Sequence, residues 1–265
     1  MVTVDSEARG PGGVTWVLFR GLGRDALHWN DLPQKLAQAM PGSRVLTPDL
    51  PGTGVLFERK SPLAVTTIAK VVRESLFGVQ PPTALNLVGL SLGSMVALAW
   101  AQTWPSEVNA LALVSPSVGG LCPPWWRCQP RALAAFAGIG CSANGAKRER
   151  KVLRLTSSNP EVRARALGPW TDIAVRHPVS RTNLARQLLA ASTFRPHLAP
   201  LPMATLVLAG QQDRIVDVRC AHKMGGALGA TVHVHPTAGH DVPLDDPSWV
   251  AQQLMTFCEN VTKAI

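Results

Sequence analysis

Cysteine is scarce in this chain and poorly arranged for cross-linking. Its 5 cysteines, Cys122, Cys128, Cys141, Cys220 and Cys258, form an odd, scattered set with no Cys-x-x-Cys pair. That pattern argues against a disulfide framework and reads as free thiols in a reducing compartment. Long apolar runs are lacking too. The nearest approach to a membrane span, Ala84 to Ala101, is interrupted by Asn86, Ser91 and the glycines around the serine, so no transmembrane segment is expected. Met1 to Gly13 has no apolar stretch behind a basic head, unlike a secretory signal, and a cytoplasmic location is the expectation. Metal-ligand clusters are equally thin. His233 and His235 alternate on one strand face, but no carboxylate or cysteine stands at a ligand spacing, so neither a metal nor another cofactor is expected.

Acidic residues are the next shortage. There are 17 Asp and Glu against 26 Lys and Arg, a net charge of +9, and the excess is local. Between Ser117 and Pro200 stand 13 basic and 3 acidic residues, whereas the remainder of the chain carries 13 and 14. The segment 117–200 therefore looks like a separate module. No nucleic-acid reader motif accompanies its charge, so nucleic-acid binding is not expected.

What is present suits one sizeable α/β core: 265 residues, 46% of them hydrophobic. Val14 to Phe19, Arg44 to Thr47 and Ala84 to Val88 read as strands, alternating with helices over Asp31 to Met40 and from Ser61-Pro62 to about Phe77. The rhythm implies a mainly parallel sheet with helices on both faces. After Val114 it breaks into helical stretches rich in proline at their start, and it resumes at Ala204 with a strand, a helix from about Val218, the strand Thr231 to His235 and a last helix from Pro247. Residues 1–116 and 201–265 are thus expected to form the core, and 117–200 a helical cap inserted into it.

The most informative pentapeptide is Gly89-Leu90-Ser91-Leu92-Gly93, placed between a strand and a helix. A serine lifted clear of a sheet on so tight a turn is a nucleophile elbow, and the crowded backbone on either side calls for glycine. Its hydroxyl needs a base within reach, and the base needs an orienting acid. Asp213 follows the strand ending at Gly210, and His240 follows the strand ending at His235, so the order is serine, acid, histidine, each at a strand's C-terminal end. Asp217 rivals Asp213, but it stands just ahead of a helix and is better explained as an N-cap. Transition-state charge calls for backbone donors. One is expected from Leu92 and the second from the loop Arg20-Gly21-Leu22-Gly23-Arg24, at Leu22 or next to it at Gly23.

With Asp49-Leu50-Pro51-Gly52-Thr53-Gly54, these stretches resemble the α/β-hydrolase superfamily from about Val14 to the last helix. Among its branches the chain looks most like small capped serine carboxylesterases, including enzymes of the pimeloyl acyl-carrier-protein methyl ester esterase type. The resemblance implies an α/β-hydrolase fold, a Ser91-His240-Asp213 triad and ester cleavage through an acyl-enzyme without a cofactor. Thioesters or carbon–carbon bonds are the alternative substrates of such a triad, and a non-catalytic receptor is the alternative outside enzymes. Arg20 departs from the histidine the superfamily usually places there. Trp125, Trp126 and Trp170, with Phe136, are candidates for the acyl pocket, or else plain core. Lys147-Arg148-Glu149-Arg150-Lys151 either steers an anionic substrate or an acidic acyl carrier, or is a solvated helix face.

Overall fold

Strands apolar on both faces build the centre of the molecule, because each must be covered by helices above and below. The computed structural model describes residues 2–5, 14–79, 84–140 and 145–263. Its elements run β1 (Val2–Asp5), β2 (Thr15–Phe19), α1 (Leu32–Ala39), β3 (Arg44–Thr47), α2 (Val65–Phe77), β4 (Leu85–Leu90), α3 (Leu92–Thr103) and β5 (Val108–Val114). Five helices follow before the next strand: α4 (Pro124–Arg127), α5 (Pro130–Gly140), α6 (Gly145–Thr156), α7 (Pro160–Arg176) and α8 (Arg181–Thr193). The chain closes with β6 (Ala204–Gly210), α9 (Arg219–Leu228), β7 (Thr231–His235), α10 (Val242–Asp245) and α11 (Pro247–Lys263).

Among the described residues the strands form one sheet in the order β1-β3-β2-β4-β5-β6-β7. β1 pairs antiparallel with β3, and the other six strands are parallel. Side chains alternate across it with the period of two that strands impose. Val17, Phe19, Leu87, Leu111 and Val207 pack toward α2, α3 and α9, while Trp16, Leu18, Val88, Ala112 and Leu206 pack toward α1 and α11. α3 is buried from Leu92 to Ala101, which explains why its sequence is apolar all round rather than striped.

One expected helix start is corrected. α2 begins at Val65 with Ala64 as its N-cap, not at Ser61-Pro62. Ser61 is instead buried and tied to α8: its N–H donates to Asn183 Oδ1 (3.0 Å), and its carbonyl accepts from Arg186 Nε. A long-range tether has claimed the residue that local capping rules assigned to the helix. Cys122, Cys128, Cys220 and Cys258 are not joined to one another by disulfides, and Cys141 lies outside the described residues. Among the described residues no helix is long and apolar enough to cross a membrane.

Candidate active site

β4 ends at Leu90 and α3 begins at Leu92, so Ser91 alone makes the turn, at φ 56° and ψ −114°. Only a surrounding structure that over-determines it holds an L-residue there. Here the Ser91 N–H donates to Val114 O (2.9 Å), and Ser94 Oγ donates to Ser91 O (2.6 Å). The flanking glycines are required by close approach. A Cβ at Gly93 would lie 2.0 Å from Phe19 O, and one at Gly89 would lie 2.2 Å from Gly93 O.

Asp213 sits on the turn after β6, buried. Its Oδ1 accepts the N–H groups of Ile215 (2.7 Å) and Val216 (2.9 Å), which aims Oδ2 at His240 Nδ1, 2.7 Å away. With Nδ1 donating to the carboxylate, Nε2 is the imidazole atom left to accept a proton. The N-cap of α9 is Val218 rather than Asp217, because the helix begins one residue later than expected. Asp217 still spends its oxygens locally: its Oδ1 accepts the Arg219 N–H (3.0 Å), and its carboxylate pairs with the Arg219 guanidinium. His240 is buried, and burial, the largest single influence, pulls its pKa down. The Asp213 carboxylate and then that of Asp241 outweigh burial, Arg20 opposes them, and the net direction is up.

Two further supports for His240 escaped sequence reasoning. Ser115, itself at φ 48°, donates its hydroxyl to His240 O (2.8 Å), and Asp245 accepts the Gly239 N–H (2.7 Å). Arg20 adds to these two. It lies buried at the end of β2 and forms a forked pair with Asp241, the neighbour of His240, at 3.2 and 2.6 Å. Its guanidinium also lies 4.8 Å from the Trp29 ring centroid. The departure from histidine at position 20 thus links the loop after β2 to the loop that carries His240. Within the former, Arg24 N–H donates to Gly21 O (3.1 Å), and Gly23 N–H donates to Gln187 Oε1 of α8 (2.8 Å). Gly23's donor is therefore engaged by α8.

Ser91, Leu22 and His240 line one cavity of about 360 Å³, with Phe136, Trp170 and largely apolar side chains of α5, α6 and α8. The three tryptophans part company here. Trp170 is fully buried, lines the cavity, and donates its Nε1–H to Asn30 Oδ1 (3.2 Å). Trp125 is 62% exposed, and Trp126 lies under the Arg219 guanidinium, 3.9 Å from its ring centroid, so neither lines the cavity. The expectation for Trp125 and Trp126 is corrected: α4 packs on α9, where Trp125 stays exposed and Trp126 is covered by Arg219. Among the described residues no three His, Cys, Asp or Glu side chains are grouped to hold a metal ion. His233 contacts Gln253, and His235 contacts Trp249 and Asp246.

Comparison with known proteins agrees with this architecture. The profile of the Alpha/beta hydrolase family matches residues 16–253. The pimeloyl-[acyl-carrier protein] methyl ester esterase of Vibrio vulnificus is 27% identical over 249 residues, covering 92% of this chain and 94% of that protein. The esterase of the same name from Methylococcus capsulatus is 28% identical over 232 residues, 85% of this chain and 84% of that one. Among solved structures, a thermophilic esterase from Thermogutta terrifontis superposes with a TM-score of 0.72 at 21% identity, covering 98% of this chain and 93% of that one. This chain belongs to the alpha/beta hydrolase family.

Proposed function

We propose that this hydrolase is a serine carboxylesterase, a reading carried above all by the hydrogen bond from buried His240 to Asp213 beside a cavity that Ser91 also lines. Ser91 Oγ attacks the ester carbonyl while His240 Nε2 takes its proton; Asp213 holds the imidazole in the tautomer this requires. The developing oxyanion is met by the N–H groups of Leu92 and Leu22, each worth about 3–4 kcal/mol. His240 then returns the proton to the departing alcohol, and a water molecule activated by the same imidazole releases the acid. No cofactor enters these steps. Helices α4 to α8, within residues 117–200, act as the cap, with Phe136 and Trp170 facing the acyl group. Relatives named as methyl ester esterases support an ester as the bond cleaved.

An acyl-enzyme leaves a kinetic mark. Mixing the enzyme with p-nitrophenyl butyrate should release a burst of about one equivalent of p-nitrophenol per chain before a slower steady rate. Hydrolysis without covalent labelling of Ser91 during turnover would reject the assignment.

The pH profile is a second check. The base must be neutral to act, and the carboxylates beside His240 keep it protonated to higher pH than an ordinary histidine. Activity is therefore present above the raised pKa and lost as the pH falls through it. The acid limb of kcat/KM should lie above the usual histidine value of about 6.5. A limb well below that value would mean that burial outweighs the carboxylates.

A further inference from the structure

Charge on the cavity wall is only partly balanced. Among the described residues four arginines line it: Arg20, Arg24, Arg148 and Arg181. Arg20 is matched by Asp241. Arg24 is matched by buried Glu149 at 2.6 Å, and its guanidinium also lies over the Trp170 ring and reaches His28 Nε2 (3.0 Å). His28 brings no charge to this cluster, because burial first, and then the Arg24 and Arg20 charges, hold its pKa well below the ordinary value.

Arg148 is different. It precedes Glu149 on α6 and is half-buried, and among the described residues no carboxylate lies within ion-pair distance of it, since Glu149 is engaged by Arg24. Arg181, the first residue of α8, is exposed on the same wall and likewise has no carboxylate partner among the described residues. The electrostatic strain on Arg148 is legible. Burial lowers its pKa, Glu149 opposes, and the cations Arg24 and Arg181 add to the lowering, yet a guanidinium stays charged at neutral pH. A half-buried cation in a wall otherwise lined by Phe136, Ile139, Val152, Leu155 and Leu184 lacks a counter-charge that a ligand can bring.

We infer that Arg148, assisted by Arg181, is a carboxylate subsite, and that the substrate is a monoester of a dicarboxylic acid whose free carboxylate lies across an apolar spacer from the scissile carbonyl. This rests on the Ser91 reading above. The carboxylate is placed on the acyl side because that part stays in the cavity through acylation and deacylation alike.

The test compares p-nitrophenyl hydrogen adipate with p-nitrophenyl hexanoate, which match in chain length and leaving group. The expected ratio of kcat/KM favours the adipate by about 10-fold, mainly through KM. Arg148→Gln should bring the ratio near 1, and Arg148→Lys should keep part of it. Arg150→Gln, on the exposed side of α6, should leave the ratio unaltered, which separates a subsite from diffuse attraction to a basic helix. Calorimetric titration of monomethyl adipate into Ser91→Ala reads the same subsite without turnover. Binding that weakens about 10-fold when Arg148→Gln is added supports the inference. Equal binding, or an adipate preference that survives Arg148→Gln combined with Arg181→Gln, overturns it. Because the titration needs no chemistry, it decides the subsite even if the kinetics reject Ser91 as nucleophile.

Discussion

Ser91→Ala is expected to lower kcat on p-nitrophenyl butyrate by about 10⁵- to 10⁶-fold, the scale on which a serine triad loses its nucleophile. Backbone donors and substrate binding alone leave a residual acceleration of about 10³ to 10⁴ over water. The fold should survive, because the bonds that hold the turn are made by the Ser91 backbone, to Val114 and Ser94, and not by the hydroxyl removed. Unchanged thermal unfolding beside lost turnover would locate the effect in chemistry. Near-wild-type turnover by Ser91→Ala would place the reaction elsewhere.

The second large effect is on stability. Arg20→Met should cost about 3–5 kcal/mol, because it leaves the buried Asp241 carboxylate without its counter-charge. The mechanism has a signature that simple loss of packing lacks. Adding Asp241→Asn to Arg20→Met should recover much of the loss, since it removes the stranded charge, and the double-mutant cycle should therefore be strongly non-additive. Chemical denaturation of the four proteins measures this. Additive losses would mean that Arg20 acts through packing on Trp29 rather than through Asp241. The pH profile supplies an independent readout. Arg20 opposes the carboxylates that raise the His240 pKa, so its removal with Asp241 still ionised should move the acid limb of kcat/KM to higher pH.

Much of this molecule is legible from local pattern. The buried strands β2, β4 and β6 are short apolar runs ended by glycine or a turn, and the helices between them carry the spacing and terminal residues of helices. Gly89 and Gly93 could be read as necessary because a crowded elbow has few solutions, and the contacts with Gly93 O and Phe19 O are the crowding itself. Asp217 could be separated from Asp213 because a carboxylate just ahead of a helix has a local use for its oxygens.

Sequence reading failed where a distant neighbour competed with a local rule. Ser61-Pro62 has the residues of a helix start, but Asn183 and Arg186, more than a hundred positions away, hold Ser61 outside the helix. Trp125 and Trp126 are aromatic and stand in the segment expected to cover Ser91, yet with α4 docked on α9 one is exposed and the other lies under Arg219. Gln187 looks like any polar residue on a helix. Its contacts with Gly23 and Pro51 exist only once α8 lies over both loops.

Local pattern carried the alternation of strands and helices from β2 onward and the places of Ser91, Asp213 and His240 at strand ends, because periodicity and turn chemistry act over a few residues; the α/β-hydrolase class came from the resemblance of those motifs, and the edge strand β1 was not read. It took the folded chain to pair Arg20 with Asp241 across 221 positions, to bring Trp170 alone of the three candidate tryptophans to the cavity, and to leave Arg148 there with no carboxylate partner among the described residues. Those outcomes depend on which side chains meet after the chain has folded, and ionic matching in a buried wall leaves no local pattern along the sequence to read.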